Sequence, residues 1–333
     1  MRIAAVDHSF HAKTKSTEFI FDILAECGTV ERFYCERWKG GPAVDLRKLR
    51  RGRYDAIVFI QQMYRRQELR QLGDSRKTVL VPMYDGVADW TLEKWRRYRS
   101  FQIVSFSSTL HQAAIAAGCL SNHVRYFPEI RCPEPTAGGD RQSGWTVFFW
   151  ERQPFITWAT VKSVLGDLPV AKVWYKPCPD PGTTASRISA EDRRRFNIED
   201  VGWLPARGDY LTLVSQSDIY FAPRRYEGIG MSFLEAMALG KLVVAADHAT
   251  MNEYITHGHN GLLYDLADPR PVFTGRDLPT IMRNAARDSR EYANEWRSGQ
   301  AALKTIIADA CAQRSPPLGQ LGRWFRGWMD RGA

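Results

Sequence analysis

Short apolar runs alternate with helical patterns along almost the whole chain. "RIAAV" (2–6), "YDAIVFI" (54–60), "TVLVPM" (78–83), "FQIVSFS" (101–107) and "HVRYFPEI" (123–130) read as strands. Residues 16–27 and 109–118 read as helices between them, the second closed by Gly118. Residues 131–144, "RCPEPTAGGDRQSG", are rich in Pro, Gly and charge and read as a linker. The alternation then restarts: strands at 145–150, 171–175, 218–223 and 241–246, helices at 157–167, 190–196, 208–216, 231–239 and 250–257.

A strand buried on both faces belongs to a parallel sheet covered by helices on both sides. Two such series around a linker predict an α/β chain of two doubly wound, Rossmann-like domains facing a cleft. The first domain is expected at 1–140 and the second at 145–310. The tail 311–333, which ends in "GRWFRGWMDRGA", is expected to cross back over the first domain or to touch a membrane. A chain of 333 residues suits two domains rather than one. Ligands of such folds bind beyond the carboxyl ends of the strands, so the cleft between the domains is the expected site.

The net charge of +9 favours anionic partners without choosing among them. The Arg-rich stretches 45–55, 93–99 and 323–331 carry Trp or Tyr beside the Arg, a pattern suited to an anionic membrane surface. They match no nucleic-acid-binding fold. The six cysteines show no CxxC pair and no metal-ligand spacing, so they read as buried free thiols of a reducing compartment. The N-terminus turns polar after four apolar residues, and no apolar run approaches the ~20 residues of a membrane span. A cytoplasmic protein, peripheral to the inner face of the membrane, is expected.

The chemistry concentrates in "YEGIGMSFLEAMALGKLVVAADH" (226–248). A strand delivers the chain to the sheet edge, and Gly228 and Gly230 let the backbone approach a ligand closely. A helix then starts near Met231, and its free N–H groups and dipole suit a phosphate. Glu227 lies in the loop and Glu235 about one turn into the helix. A carboxylate accepts two hydrogen bonds side by side, so two of them flanking an anion site can hold a ribose and a sugar.

The stretch 222–265 resembles the signature of retaining glycosyltransferases of the GT-B fold, the group often called family four. The resemblance is dense over 203–265 and weaker elsewhere. It implies that Glu227 contacts the donor sugar and that Glu235 holds the nucleotide ribose. Gly228, Ile229, Gly230, Met231 and Ser232 would cradle the diphosphate, and Trp203, Leu204 and Pro205 would line the base. The donor is a nucleotide sugar, the acceptor a glycan or lipid-linked intermediate of cell-surface synthesis, and no metal or other cofactor is expected. The family places an Arg and a Lys on the loop after the first strand of the second domain. Arg152 stands at the Arg position, but Glu151 replaces a Gly and Thr157 stands near the Lys position. Lys162 or Lys176 is the candidate substitute.

The first domain departs further from the pattern. Its first strand runs into "DHSFHAKTKSTEF" (7–19). There His8, His11, Lys13 and Lys15 are candidates for an anionic acceptor or for the donor phosphates. The alternative is a polar loop leading into a helix, with Ser16 or Thr17 as its cap. Asp85 stands where relatives carry a His-Asp pair, and His111 opens a helix that would face the cleft. A nucleotide-sugar-binding protein without turnover and a GT-B-fold epimerase are the competing readings.

Overall fold

The computed structural model describes residues 1–130, 144–204 and 206–312. The linker 131–143 with Cys132, residue Pro205 and the tail 313–333 lie outside the described residues.

The chain forms two parallel sheets of six strands each. The first holds β1 (Arg2–His8), β2 (Thr29–Cys35), β3 (Ala56–Ile60), β4 (Thr78–Val81), β5 (Gln102–Ser105) and β6 (Leu120–His123), in the order β2-β1-β3-β4-β5-β6. The second holds β7 (Trp145–Glu151), β8 (Val170–Pro177), β9 (Ile198–Asp200), β10 (Ile219–Phe221), β11 (Leu242–Ala246) and β12 (Leu262–Tyr264), in the order β12-β11-β10-β7-β8-β9. The central strands β3 (AIVFI) and β11 (LVVAA) are unbroken runs of buried apolar side chains, whereas β8 (VAKVWYKP) is only partly buried. The expected α/β architecture is therefore present in both lobes. In each sheet the winding reverses once, between β1 and β3 and between β7 and β10. The loops leaving these strands open onto the crevice that such reversals create.

Three strands went unanticipated. β2 is an edge strand whose sequence, TVERFYC, is mostly exposed and lacks an apolar run. β9 and β12 have three residues each. Two expected elements are shorter than read. Residues 250–257 form only a 3-10 turn, Met251–Glu253. There the Asn260 side chain accepts from Thr256 N (2.8 Å) and donates to Tyr254 O (3.1 Å), satisfying backbone groups that a helix would use. The strand expected at 123–130 is displaced toward the N-terminus: β6 occupies Leu120–His123 and shares only His123 with that range. Beyond it Tyr126 and Phe127 are buried, with the Tyr126 ring 4.9 Å from that of Trp296 and the Phe127 ring 5.6 Å from that of Tyr292.

Both aromatic partners belong to one helix of 34 residues, Leu278–Cys311. Asp277 caps it, accepting from Thr280 N at 3.2 Å. The helix packs on helix Met231–Ala238 and β11 of the second lobe, and on helix Glu18–Cys27, β3 and β4 of the first. Gly299 permits this approach: a Cβ there would stand 2.6 Å from Val124 Cγ1. Among the described cysteines all are free thiols, with Cys35 and Cys119 buried. Among the described residues no helix is long and apolar enough to cross a membrane.

Candidate active site

At the switch point of the second lobe, β7 ends at Glu151 and is followed by Arg152, while β10 leads into Arg224–Glu227. Gly230 takes φ +81° and serves as N-cap of helix Met231–Ala238 without a side-chain cap bond. A Cβ on Gly230 would lie 1.9 Å from Phe233 Cε1, so only glycine fits this turn. The helix start thus carries no side-chain cap.

Glu227 is 7% exposed, and a chain of opposite charges surrounds it. Arg152 donates to Asp180 Oδ1 through Nη2 (2.7 Å) and Nε (3.0 Å). Arg224 donates to Asp180 Oδ2 through Nη2 (2.5 Å) and to Asp85 Oδ2 through Nη1 (3.0 Å). Asp85 comes from the first lobe, so the chain bridges the cleft. Its other oxygen, Oδ1, is buried with no hydrogen-bond partner among the described residues. Burial pushes the carboxyls of Glu227 and Asp85 above the usual range. Arg224 and Arg152 oppose the rise at Glu227, and Arg224 opposes it at Asp85. The structure thus brings Glu227, Arg152 and Asp85 together, and adds Arg224 and Asp180.

Glu235 is 5% exposed, and Arg207 holds it. The guanidinium donates to Oε1 through Nε at 2.8 Å and stands 2.7 Å away at Nη2. Burial raises the Glu235 pKa, with Arg207 opposing. The Arg207 side chain is itself 57% exposed, so the pair reaches the surface rather than lying deep in a lobe. Trp203, four residues earlier, is half exposed, and Lys13 of the first lobe lies 5.0 Å from its ring centre.

Glu151 is buried and locks a loop. Its carboxylate accepts from Tyr175 OH (2.7 Å), Ser186 N (2.6 Å) and Ser186 Oγ (3.0 Å), which pins the segment carrying Asp180. Thr157 is the N-cap of helix Trp158–Leu165. Lys162 pairs with Asp192 at 2.6 Å. Lys176, at the end of β8, is buried between aromatic rings.

In the first lobe the organiser is Asp7, which sequence reasoning passed over. Fully buried, it accepts from His8 N (2.7 Å) and Thr17 Oγ1 (2.6 Å) and lies 2.8 Å from His11 Nδ1. Thr17 spends its hydroxyl there and makes no side-chain cap bond, contrary to the helix-cap alternative. His8 stacks on Trp38 at 5.0 Å, and burial lowers its pKa to about 4 with help from His11. Lys13 and Lys15 are exposed. His111 does not join this group. It is buried under its helix, with Nδ1 3.0 Å from Ser121 Oγ and its ring 5.9 Å from that of His123, because it shares a helix face with Leu110 and Ala114.

The lobes touch directly at the site. A Cβ on Gly228 would lie 2.7 Å from Met83 Cβ and 2.9 Å from Asp85 Oδ1. Glu253 of the second lobe accepts from Ser107 Oγ (2.8 Å), Ser108 N (2.7 Å) and Thr109 N (3.0 Å) at the start of helix Ser108–Ala116. Tyr254 OH donates to Tyr126 O at 2.7 Å. Among the described residues no group of three or more His, Cys, Asp or Glu is placed to hold a metal ion.

Comparison with known proteins bears on the family and the fold. Residues 182–270 match the family described as glycosyl transferases group 1. A stretch of 105 residues is 30% identical to the Campylobacter jejuni N,N'-diacetylbacillosaminyl-diphospho-undecaprenol alpha-1,3-N-acetylgalactosaminyltransferase. That match covers 29% of this chain and 28% of the relative. Anabaena HepE, solved with UDP and glucose, superposes with a TM-score of 0.61 at 17% identity, covering 92% of this chain and all of that one. The lipopolysaccharide outer core galactosyltransferase WaaB gives 0.54 at 13% identity, over 93% of this chain and 99% of that one. Sucrose-phosphate synthase from Thermosynechococcus elongatus gives 0.55 at 14%, over 99% and 100%. The second lobe of this chain therefore carries the glycosyl transferases group 1 signature, and the two lobes together form a GT-B fold.

Proposed function

We propose that the protein is a retaining glycosyltransferase that moves a sugar from a nucleotide sugar to a glycan or lipid-linked acceptor in cell-surface polysaccharide or glycolipid synthesis. The observation that carries this reading is the meeting of Glu227, Arg152, Arg224 and Asp85 at the uncapped start of helix Met231–Ala238. Breaking a sugar–diphosphate bond builds negative charge on the leaving oxygen. Helix N–H groups and two guanidiniums fixed in place stabilise that charge without reorganising. Those cations supply the neutralisation, so the reaction is proposed to need no metal.

Glu227 lies beside the cations and takes the donor sugar's hydroxyls; Glu235 takes the ribose diol once Arg207 swings outward. Attack on the face from which the diphosphate leaves retains configuration. It also puts the acceptor hydroxyl beside the departing phosphate oxygen, which takes its proton. His8, His11, Lys13 and Lys15 line the acceptor side. The Campylobacter relative is named for a diphospho-undecaprenol acceptor and WaaB for lipopolysaccharide, which supports an acceptor at the membrane surface. The Arg-rich segments of the first lobe would then dock peripherally on the anionic inner face.

One observation favours the binding protein without turnover: Asp180 and Asp85 already neutralise both guanidiniums, and Arg207 occupies Glu235. Incubation with a panel of nucleotide sugars and a polyprenyl-diphosphate acceptor separates the two readings. Sugar transfer that disappears in Glu227→Ala, with nucleotide binding retained, supports the enzyme. Binding without transfer or donor hydrolysis in the wild type supports the alternative.

A further inference from the structure

Arg224 and Arg225 follow one another past the carboxyl end of β10, yet they face opposite flanks of the sheet. Arg224 turns to the β7 side, where Asp180 and Asp85 neutralise it. Arg225 turns to the β11 side. Its guanidinium carbon lies 4.8 Å from the centre of the Tyr226 ring, and its charge acts on His248, two residues beyond β11. Among the described residues Arg225 has no ion pair and no hydrogen bond, and its Nε is buried without a partner. Arg152, Arg224 and Arg207 at the same cleft are each paired with a carboxylate. A half-buried guanidinium with unmet donors is costly, and one ring face, worth about 0.5–2 kcal/mol, offsets only part of that cost.

The groups around it say what fits. The Tyr226 ring stands edge-on to His248 (5.2 Å) and to Tyr84 of the first lobe (5.9 Å). Among the described residues the side chains of Tyr226, Tyr84 and His248 make no hydrogen bond either. Burial and the charge of Arg225 hold the His248 pKa below its usual value, against Asp247 and Asp265. Those two carboxylates are engaged elsewhere: Asp247 Oδ1 accepts from Asn252 Nδ2 at 2.9 Å, and Asp265 Oδ1 from Ala267 N at 2.8 Å. A planar fork of N–H donors, with two phenols beside it, matches an oxyanion. Tyr84 and Tyr226 come from facing lobes, so that oxyanion sits between them. It lies across β10 from the cations proposed for the donor's diphosphate, where a second molecule in the cleft would reach.

We propose that Arg225, with Tyr226, Tyr84 and His248, forms a second oxyanion site that takes a phosphate or carboxylate group of the acceptor. That the oxyanion belongs to an acceptor rests on the transferase reading above; the site itself does not.

Proton NMR of the full chain tests it, with the His248 ring protons, identified by their loss in His248→Gln, as a reporter beside the site. An anion on Arg225 offsets the charge that depresses His248. Millimolar inorganic phosphate or glucuronate, replacing chloride at constant ionic strength, should raise the wild-type His248 titration midpoint by about 0.5–1 pH unit. Whichever probe acts tells phosphate from carboxylate. In Arg225→Gln the midpoint should already be raised in chloride and answer to neither probe. A wild-type His248 that ignores both probes overturns the inference even if the variant does not fold. So does a response that UDP, GDP or ADP also produces and that vanishes once one of them saturates the chain, because the anion then belongs to the donor. In transfer to a polyprenyl-diphosphate acceptor, Arg225→Gln should raise the acceptor KM about tenfold or more and leave the donor KM unchanged. An unchanged acceptor KM overturns the inference. Failure of the transferase reading shows separately, as a His248 response without transfer from any nucleotide sugar.

Discussion

Gly228→Ala puts one methyl group into the contact between the lobes. The new Cβ would stand 2.7 Å from Met83 Cβ and 2.9 Å from Asp85 Oδ1, well inside van der Waals contact. Neither neighbour gives way easily. Met83 is 5% exposed in the core, and Asp85 is tied to Arg224. Overpacking of this kind costs about 1–3 kcal/mol. Here the strain falls on the closed arrangement of the lobes and not on either lobe alone. At about 1.4 kcal/mol per tenfold, the closed form should lose roughly 5- to 150-fold in population relative to the open one. Transfer needs Asp85 beside Glu227, so kcat/KM should fall, by that factor at most. The radius of gyration in solution scattering should rise, while circular dichroism stays unchanged. Gly86→Ala is the control, because a Cβ at Gly86 meets nothing within 4 Å. A Gly228→Ala protein as active and as compact as the wild type would refute the reasoning.

Glu227 has a pKa raised by burial, so the folded state holds its proton more tightly than the unfolded chain. The stability this confers is complete below the ordinary carboxyl value of 4.5 and is lost as pH rises through the elevated folded value. Glu227→Gln should therefore melt higher than the wild type at neutral pH and show no advantage at pH 4, a comparison that thermal melts across pH can make. Glu235→Ala removes a charged acceptor of ribose hydroxyls and should weaken nucleotide binding about tenfold or more, read by calorimetry. Glu253→Ala frees the start of helix Ser108–Ala116 and should cost about 1–2 kcal/mol, or roughly 1.5–3 °C in Tm. An unshifted melting curve would show that the cap carries no weight.

Much of this was legible before any coordinates. The central strands announce themselves because burial on both faces requires unbroken apolar runs, and 222–248 carries its turn, helix start and both glutamates in one contiguous stretch. What was not legible is non-local. Asp180 has no local signal, and its role appears only when β7 and β10 bring Arg152 and Arg224 to either side of it. Arg224 lies inside the family-like stretch 222–265, and an Arg pair following Pro223 at a sheet edge is a signal left unused. His111 shows the opposite failure. Its spacing from Leu110 and Ala114 already marks the inward stripe of that helix.

The helix Leu278–Cys311 has a consequence for motion. At about 1.5 Å per residue its 34 residues extend roughly 51 Å, anchored to both lobes. A hinge opening that tilted one lobe across this rod would have to peel Trp296 from Phe19 and Tyr126, or break the Lys304–Glu26 pair. Swivelling about the rod's own axis disturbs these anchors least. The helix therefore serves as an axle, and admission of substrate is expected to proceed by twist.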